Sequence, residues 1–386
     1  MKLYLFNPDT ELALASGSTH YLPPAAIRQM AADLSLLPLW YGDAGSTILL
    51  YSEEEALYLQ QMKQLFALPM EGLSVSSLPT HITPSPWGWN LSIRHQCLRL
   101  GLEESFLPSV EEVEHHRLLS SREIAAAWLP VVSQGLSDCI GQMEVIRSIQ
   151  ACADYAAHTP HCLFKQPWSS SGKGLRWCRG HYGAEDEHWC HKAISTQGCV
   201  VASPIYKKVC DLAMEFRRSD KSRVEFVGYS LFLTNERGVY LGNRLITDST
   251  AENILQQWLS LDVLYEVRRR WIEQLSCLDD ACMEYVGVDM MVCDVAGSYR
   301  LHPCIEVNLR MNMGVLASIF ARRYLNSEAE CTLRIEGFRT SKALLETHCM
   351  WQKSHPWVVK DGRLVSGYLP LVPVTPHSRM LAYVWA

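Results

Sequence analysis

Asp289 stands alone in an otherwise apolar run, Tyr285-Val286-Gly287-Val288-Asp289-Met290-Met291-Val292. Such a run reads as a buried strand, and an unpaired carboxylate inside one is strongly unfavourable. The fold must therefore bring a partner to Asp289. The next strand-like segment, Cys304-Ile305-Glu306-Val307-Asn308-Leu309-Arg310-Met311-Asn312-Met313-Gly314, can supply it. With a period of two, Glu306, Asn308 and Arg310 share one face while Ile305, Val307 and Leu309 face the core. Two carboxylates and an amide oxygen on adjacent strands form a hard-oxygen site suited to Mg²⁺, with phosphates completing the octahedron. Arg310 beside them can clamp a phosphate oxygen. The plainer alternative is a structural polar ladder on a half-exposed sheet.

A second segment carries complementary chemistry. Leu163-Phe164-Lys165-Gln166-Pro167-Trp168 runs into Ser169, Ser170, Ser171, Gly172, Lys173 and Gly174, then out into Leu175-Arg176-Trp177. The turn presents backbone N–H groups, hydroxyls and a lysine to one point, as a polyphosphate requires. It is not a Walker A loop, because the spacing before Gly172-Lys173 is wrong and Gly174 follows the lysine. Taken alone, it also reads as a glycine-bearing hairpin tip.

Composition narrows the class. At 386 residues the chain has room for two or three folding units. With 35 Lys+Arg against 41 Asp+Glu, the net charge of −6 disfavours a nucleic-acid binder. The start has only a four-residue apolar run, so no export signal is expected, and no apolar stretch reaches membrane-spanning length. The fourteen cysteines are then expected to be reduced in a cytoplasmic protein, and no CxxC pair occurs.

Along the chain, β/α alternation opens the molecule. Strands are expected at 3–6 and 47–51, with helices from Pro23-Pro24 onward and over 53–66. Further helices lie between 107 and 129, one of them over 122–128 with Ser120 or Ser121 as its cap. From 162 onward short strands dominate: 162–166, 199–202, 211–216, 224–234 and 239–241. A helical stretch over 250–275 follows, with Arg268, Arg269 and Arg270 on a solvated face. Then come strands at 285–293 and 299–309 and a helix near 315–324. Asp361-Gly362 marks a hairpin over 358–365.

Together the two chemical segments resemble the ATP-grasp superfamily, and more closely a bacterial branch with its own N-terminal domain. Asn7-Pro8, Glu11-Leu12-Ala13-Leu14-Ala15, Tyr21, Pro23-Pro24, Asp33-Leu34, Leu37-Pro38, Pro86-Trp87-Gly88-Trp89, Leu107-Pro108-Ser109 and Leu118-Leu119-Ser120-Ser121-Arg122 carry the rest of the likeness. The resemblance implies an α/β (α+β) architecture: an ATP-grasp fold of two α+β lobes preceded by a small parallel α/β domain. The divisions would be 1–118 for the N-terminal domain, 119–205 for the lid lobe, 206–330 for the core lobe and 331–386 for a C-terminal extension.

The resemblance also implies roles. Lys165 would contact the phosphates of ATP, Ser169 to Gly174 would cover them, and Arg122 would add a further basic group. A hinge strand carrying Ser203, Pro204 and Tyr206 would hold the base by its main chain, although a glutamate is common where Ser203 stands. Glu215 or a backbone group could replace it. Asp211 would hold the ribose. Asp289, Glu306 and Asn308 would ligate Mg²⁺ or Mn²⁺, and Arg310 would stabilise the transferring phosphoryl group. Asn243 and Arg244 could bind a substrate carboxylate, or be ordinary surface polarity. The implied reaction is ATP-dependent ligation through an acyl phosphate. It joins a small-molecule or peptide carboxylate to an amine, or less commonly a thiol. The rival is a regulatory or scaffold protein that holds ATP without turning it over.

Two further features stand apart. Cys178, His181, His188, Cys190 and His191 could build a tetrahedral zinc site, though their spacing fits no standard pattern, or belong to a polar lid loop. Trp40, Trp87 and Trp89 could line a pocket or serve as packing residues.

Overall fold

Leu3, Tyr4, Ile48 and Leu49 are each at most 2% exposed, as parallel strands covered on both faces require. They belong to a four-stranded parallel sheet of Lys2–Leu5, Thr47–Leu50, Glu71–Ser74 and Thr83–Pro86. Leu3 is paired with both Thr47 and Pro84. Ala25–Asp33 begins after Pro24, and Glu53–Phe66 is capped by Ser52, whose hydroxyl accepts from the Glu55 amide. The computed structural model describes residues 1–169, 174–220, 223–235, 239–326 and 331–386.

A second, antiparallel sheet has the order Glu144–Ile146, Val200–Pro204, His161–Lys165, Leu175–Arg179. Helices Ile149–His158 and Ala184–Gln197 pack with it. The second of these helices, not a loop, holds His188, Cys190 and His191. Cys178 lies across from Cys162 in the sheet, and Cys178 and Cys190 are both buried in its core. Among the described residues the five proposed zinc ligands do not gather, and the one cluster of metal-ligating type is His116, Asp280 and Cys282.

The largest sheet has eight antiparallel strands. Its order is Ser298–Asn308, Tyr285–Val295, Lys207–Asp220, Arg223–Thr234, Tyr240–Leu245, Cys331–Gly337, Met380–Trp385 and Tyr368–Pro370. One face packs on helices Arg122–Ser133 and Leu261–Ser276 through Phe216, Val286, Val288, Trp128 and Trp271. The expected helix over 250–275 is two helices, Asp248–Leu255 and Leu261–Ser276, the second capped by Ser260. Of the three arginines on it, Arg269 is solvated and paired with Glu266 and Glu273. Arg268 lies over the Phe226 and Tyr265 rings, and Arg270 donates to the Gln134 carbonyl.

The hairpin of Val358–Lys360 and Arg363–Ser366 turns at Asp361 and Gly362 with φ of 52° and 74°. Two positive values are what a type I′ turn demands.

Alternation on strand Ser298–Asn308 holds only in part. Val307 and Leu309 face the core, but Ile305 lines the cleft and Cys304 is fully buried in its place. The cause is a register shift between Asp289 and Met291: Asp289 pairs with Glu306, whereas Met291 pairs with His302. Such an irregularity re-aims side chains locally.

Candidate active site

Between the four-stranded antiparallel sheet and the eight-stranded one lies a cleft of about 960 Å³. Strand alternation places Asp211, Ala213 and Glu215 on the cleft side while Leu212, Met214 and Phe216 enter the core. Asp289 sits opposite Glu306 on the neighbouring strand. Burial and the Glu306 carboxylate together raise the Asp289 carboxyl well above the usual carboxylate range. Two carboxyl groups facing each other in this way fit a divalent cation, which would supply the missing positive charge.

Asn308 completes the group, but its amide nitrogen faces the carboxylates. Nδ2 donates to Asp289 Oδ2 at 3.3 Å, while Oδ1 accepts from Arg310 Nη2 at 3.1 Å. To ligate a metal with its oxygen, the amide must turn by half a rotation. Arg310 is also paired with Glu11 of the N-terminal helix Thr10–Ser16, which ties that helix to the end of strand Ser298–Asn308.

Lys165, at the end of its strand, is 5% exposed. Burial, followed by the nearby Arg122, pushes its ammonium down to about 8, against the pull of Glu306. Arg122 is not a surface residue: it is 6% exposed. Its Nη1 donates to the Gln166 carbonyl at 2.7 Å and to Ser169 Oγ at 2.6 Å, and its Nη2 to Glu306 Oε1 at 2.7 Å. One guanidinium thus fastens the serine turn to strand Ser298–Asn308. Gln166 N donates to the Gly174 carbonyl at 2.9 Å, closing the base of the turn. Gly174 has φ +69°, and a Cβ there would lie 2.5 Å from Ser169 Cβ, so the position needs glycine. Ser170, Ser171, Gly172 and Lys173 lie outside the described residues.

Ser203, Pro204 and Tyr206 line the same cleft, with Ser203 opposite Leu163 in the sheet. The Tyr206 ring meets His302 edge-on at 5.4 Å. Burial, reinforced by Lys165, lowers His302 to about 3 and keeps it neutral. Asp211 reaches the cleft while accepting from Lys208 at 2.5 Å and Thr234 at 2.6 Å. Asn243 is buried and faces a smaller adjoining cleft, whereas Arg244, one residue on, is exposed and lines neither. Glu215 does not stand in for the hinge glutamate either. It lies beside Asn312 in the adjoining cleft, which Ser203 does not line.

No protein-family model matches the chain, and no curated protein matches it. Solved structures do. Over 87% of its length the chain aligns with 93% of a protein from Archaeoglobus fulgidus provisionally described as of the ATP-grasp superfamily (13% identity, TM-score 0.45). Its full length aligns with 92% of an N5-carboxyaminoimidazole synthetase from Staphylococcus aureus complexed with ADP (11% identity, TM-score 0.46). It also aligns, over its full length, with 87% of a biotin carboxylase from Campylobacter jejuni in a β-γ-ATP complex, at 15% identity and a TM-score of 0.51. The chain shares the fold of that biotin carboxylase, in keeping with the ATP-grasp resemblance of its sequence.

The four-stranded antiparallel sheet and strands Tyr285–Val295 and Ser298–Asn308 face each other across the cleft. Reasoning from sequence alone missed Glu11 and Asn312, and misplaced Glu215. Glu215 carried a signal of the same kind as Asp289, a lone acid within Leu212-Ala213-Met214-Glu215-Phe216. Glu11 carried none, since only the tertiary fold brings it to Arg310. Among the tryptophans, Trp40 is a core residue whose Nε1 donates to the Leu371 carbonyl, while Trp87 borders the adjoining cleft.

Proposed function

We propose that the protein is an ATP- and Mg²⁺-dependent ligase that joins a carboxylate to an amine through an acyl phosphate. The observation that carries this reading is the convergence of Asp289 and Glu306 with Lys165 and Arg122 at one cleft of the ATP-grasp fold. Mg²⁺, or Mn²⁺, held by Asp289, Glu306 and a turned Asn308, would neutralise charge on the phosphates. Lys165 and Arg122 add fixed positive charge where the transferring phosphoryl group becomes more negative. The substrate carboxylate attacks the γ-phosphorus, the bond to ADP breaks, and Arg310 stabilises the acyl phosphate. The amine then displaces phosphate and loses a proton. Catalysis of this type is mostly positioning and charge neutralisation, which accounts for a site built from cations and acids. The nearby likeness to ligases bears on the fold and leaves the substrate open. A cytoplasmic setting, where ATP is abundant, belongs to the same proposal.

ATP with Mg²⁺ should raise the melting temperature of the intact protein, and raise it much less after Glu306→Ala. No shift in the intact protein overturns the reading. One feature favours a protein that holds ATP without consuming it: Ser203 at the hinge, where a glutamate would contact the base. ADP release across amino acids, small peptides and polyamines separates the two, because the holding protein shows stabilisation and no turnover.

A further inference from the structure

Beside the nucleotide cleft lies the smaller one, of about 410 Å³, bordered by both the metal-side strands and the N-terminal residues Phe6, Pro8 and Glu11. Its carboxyl groups outnumber its cationic side chains. Glu11, Glu215, Asp289 and Glu306 face it, and among the described residues Arg310 is the one cation on its wall. Glu11 is already paired with Arg310, and Asp289 and Glu306 are the expected holders of the metal. Glu215 is left over.

Glu215 is 1% exposed and, among the described residues, has no ion-pair partner. Oε2 accepts from Asn312 Nδ2 at 2.9 Å. Oε1 has no hydrogen-bond donor among the described residues. Burial raises its carboxyl to about 8, with the Asn312 hydrogen bond pulling the other way. The room it occupies is cut by glycines on two other elements. A Cβ on Gly287 would lie 2.7 Å from Oε2, and one on Gly314 1.9 Å from Oε1. A buried acid placed by two neighbouring glycines, with one oxygen unclaimed among the described residues, would ionise beside a cation that no described residue provides.

The rest of the wall fits a hydrocarbon chain. Met30, Leu34, Ile335 and Met380 form its apolar side. Opposite them Tyr240 donates to Asn243, which donates to Ser230 Oγ at 2.5 Å, so these polar groups largely satisfy one another. Glu215 is two residues along its strand from Ala213, the partner of Asp289. At about 3.4 Å per residue and 4.8 Å between strands, the backbone positions of Glu215 and Asp289 are roughly 8 Å apart.

We infer that the carboxylate substrate carries a protonated amine, held by Glu215, at the far end of a short methylene chain whose carboxylate lies against Arg310. This rests on the ligase reading and deepens it. The ammonium at Glu215 is a spectator: it forms no bond in the reaction, and the attacking amine is a second molecule.

The test compares two series of probes by binding to the intact protein with ADP and Mg²⁺ present. One runs from glycine through β-alanine and 4-aminobutanoate to 5-aminopentanoate, the other from acetate to pentanoate. The longer amino members should bind at least about tenfold more tightly than their plain counterparts, the scale of one charge-assisted hydrogen bond. In Glu215→Gln, which keeps the shape and the Asn312 contact, that preference should vanish while binding of the plain acids persists. Equal affinity of the two series in the intact protein, or no binding by either, overturns the inference without recourse to the variant. A separate arm without carboxylate reports on the ligase reading: if ATP with Mg²⁺ gives no stabilisation there, that reading has failed first.

Discussion

Arg122 permits the most exact test of the site's construction. Arg122→Met keeps an apolar stem and removes the guanidinium, and four hydrogen bonds go with it, at 2.7, 2.6, 3.3 and 2.7 Å. It also leaves Glu306 without its cation. Breaking a fully buried pair from one side costs about 3–5 kcal/mol. The Glu306 side chain is 25% exposed and can recover some hydration, so a loss of about 2–3 kcal/mol is expected. For a chain of this size one kcal/mol moves the melting temperature by about 2 °C, giving a fall of about 4–6 °C without nucleotide. The pairwise part is isolated by adding Glu306→Gln and the double variant and unfolding all four proteins in urea. A coupling of about 1–2 kcal/mol is expected for residues in direct contact, and one below about 0.3 kcal/mol would refute the clamp. A simple loss of helix stability at position 122 would lower the melting temperature too, but would show no coupling to Glu306.

Two further outcomes follow from the same geometry. Lys165 is depressed to about 8 in the empty protein, and phosphates bind its charged form, so affinity for ATP with Mg²⁺ should fall as pH rises through that value. The dissociation constant should increase about tenfold between pH 7 and pH 9, and stay flat in Lys165→Arg; a flat profile for the intact protein places Lys165 away from the phosphates. Gly314→Ala would ordinarily strengthen a helix by about 1 kcal/mol. Here the new methyl meets Glu215 at 1.9 Å, so a net loss of about 2 kcal/mol is expected, largely restored by adding Glu215→Ala; a stabilised Gly314→Ala would refute the position of Glu215.

The acids of the site were legible because burial makes a charge conspicuous. Asp289 inside an apolar strand demands a partner, and the period-two pattern after it names Glu306. The Asp361-Gly362 turn was legible for a similar local reason, since few residues accept its two positive φ values. Helix Ala184–Gln197 was not legible: its acidic, histidine- and cysteine-bearing sequence has no clear apolar stripe, and its burial comes from the sheet beneath it. The burial of Arg122 was not legible, because a first-turn arginine is usually exposed and this one is buried by a turn 44 positions away. The place of Ile305 failed for a third reason. Alternation assumes an unbroken ladder, and the ladder shifts beside Asp289.

The Glu11–Arg310 pair has a consequence for selectivity. Any anion that comes to Arg310 must displace a carboxylate already seated on it, one delivered by a helix nearly three hundred residues away in sequence. The resident acid acts as an internal competitor, so casual anions such as chloride or free phosphate gain little by entering. A ligand that also engages the proposed metal at Asp289 and Glu306 can repay the exchange, and the pocket trades affinity for discrimination between them.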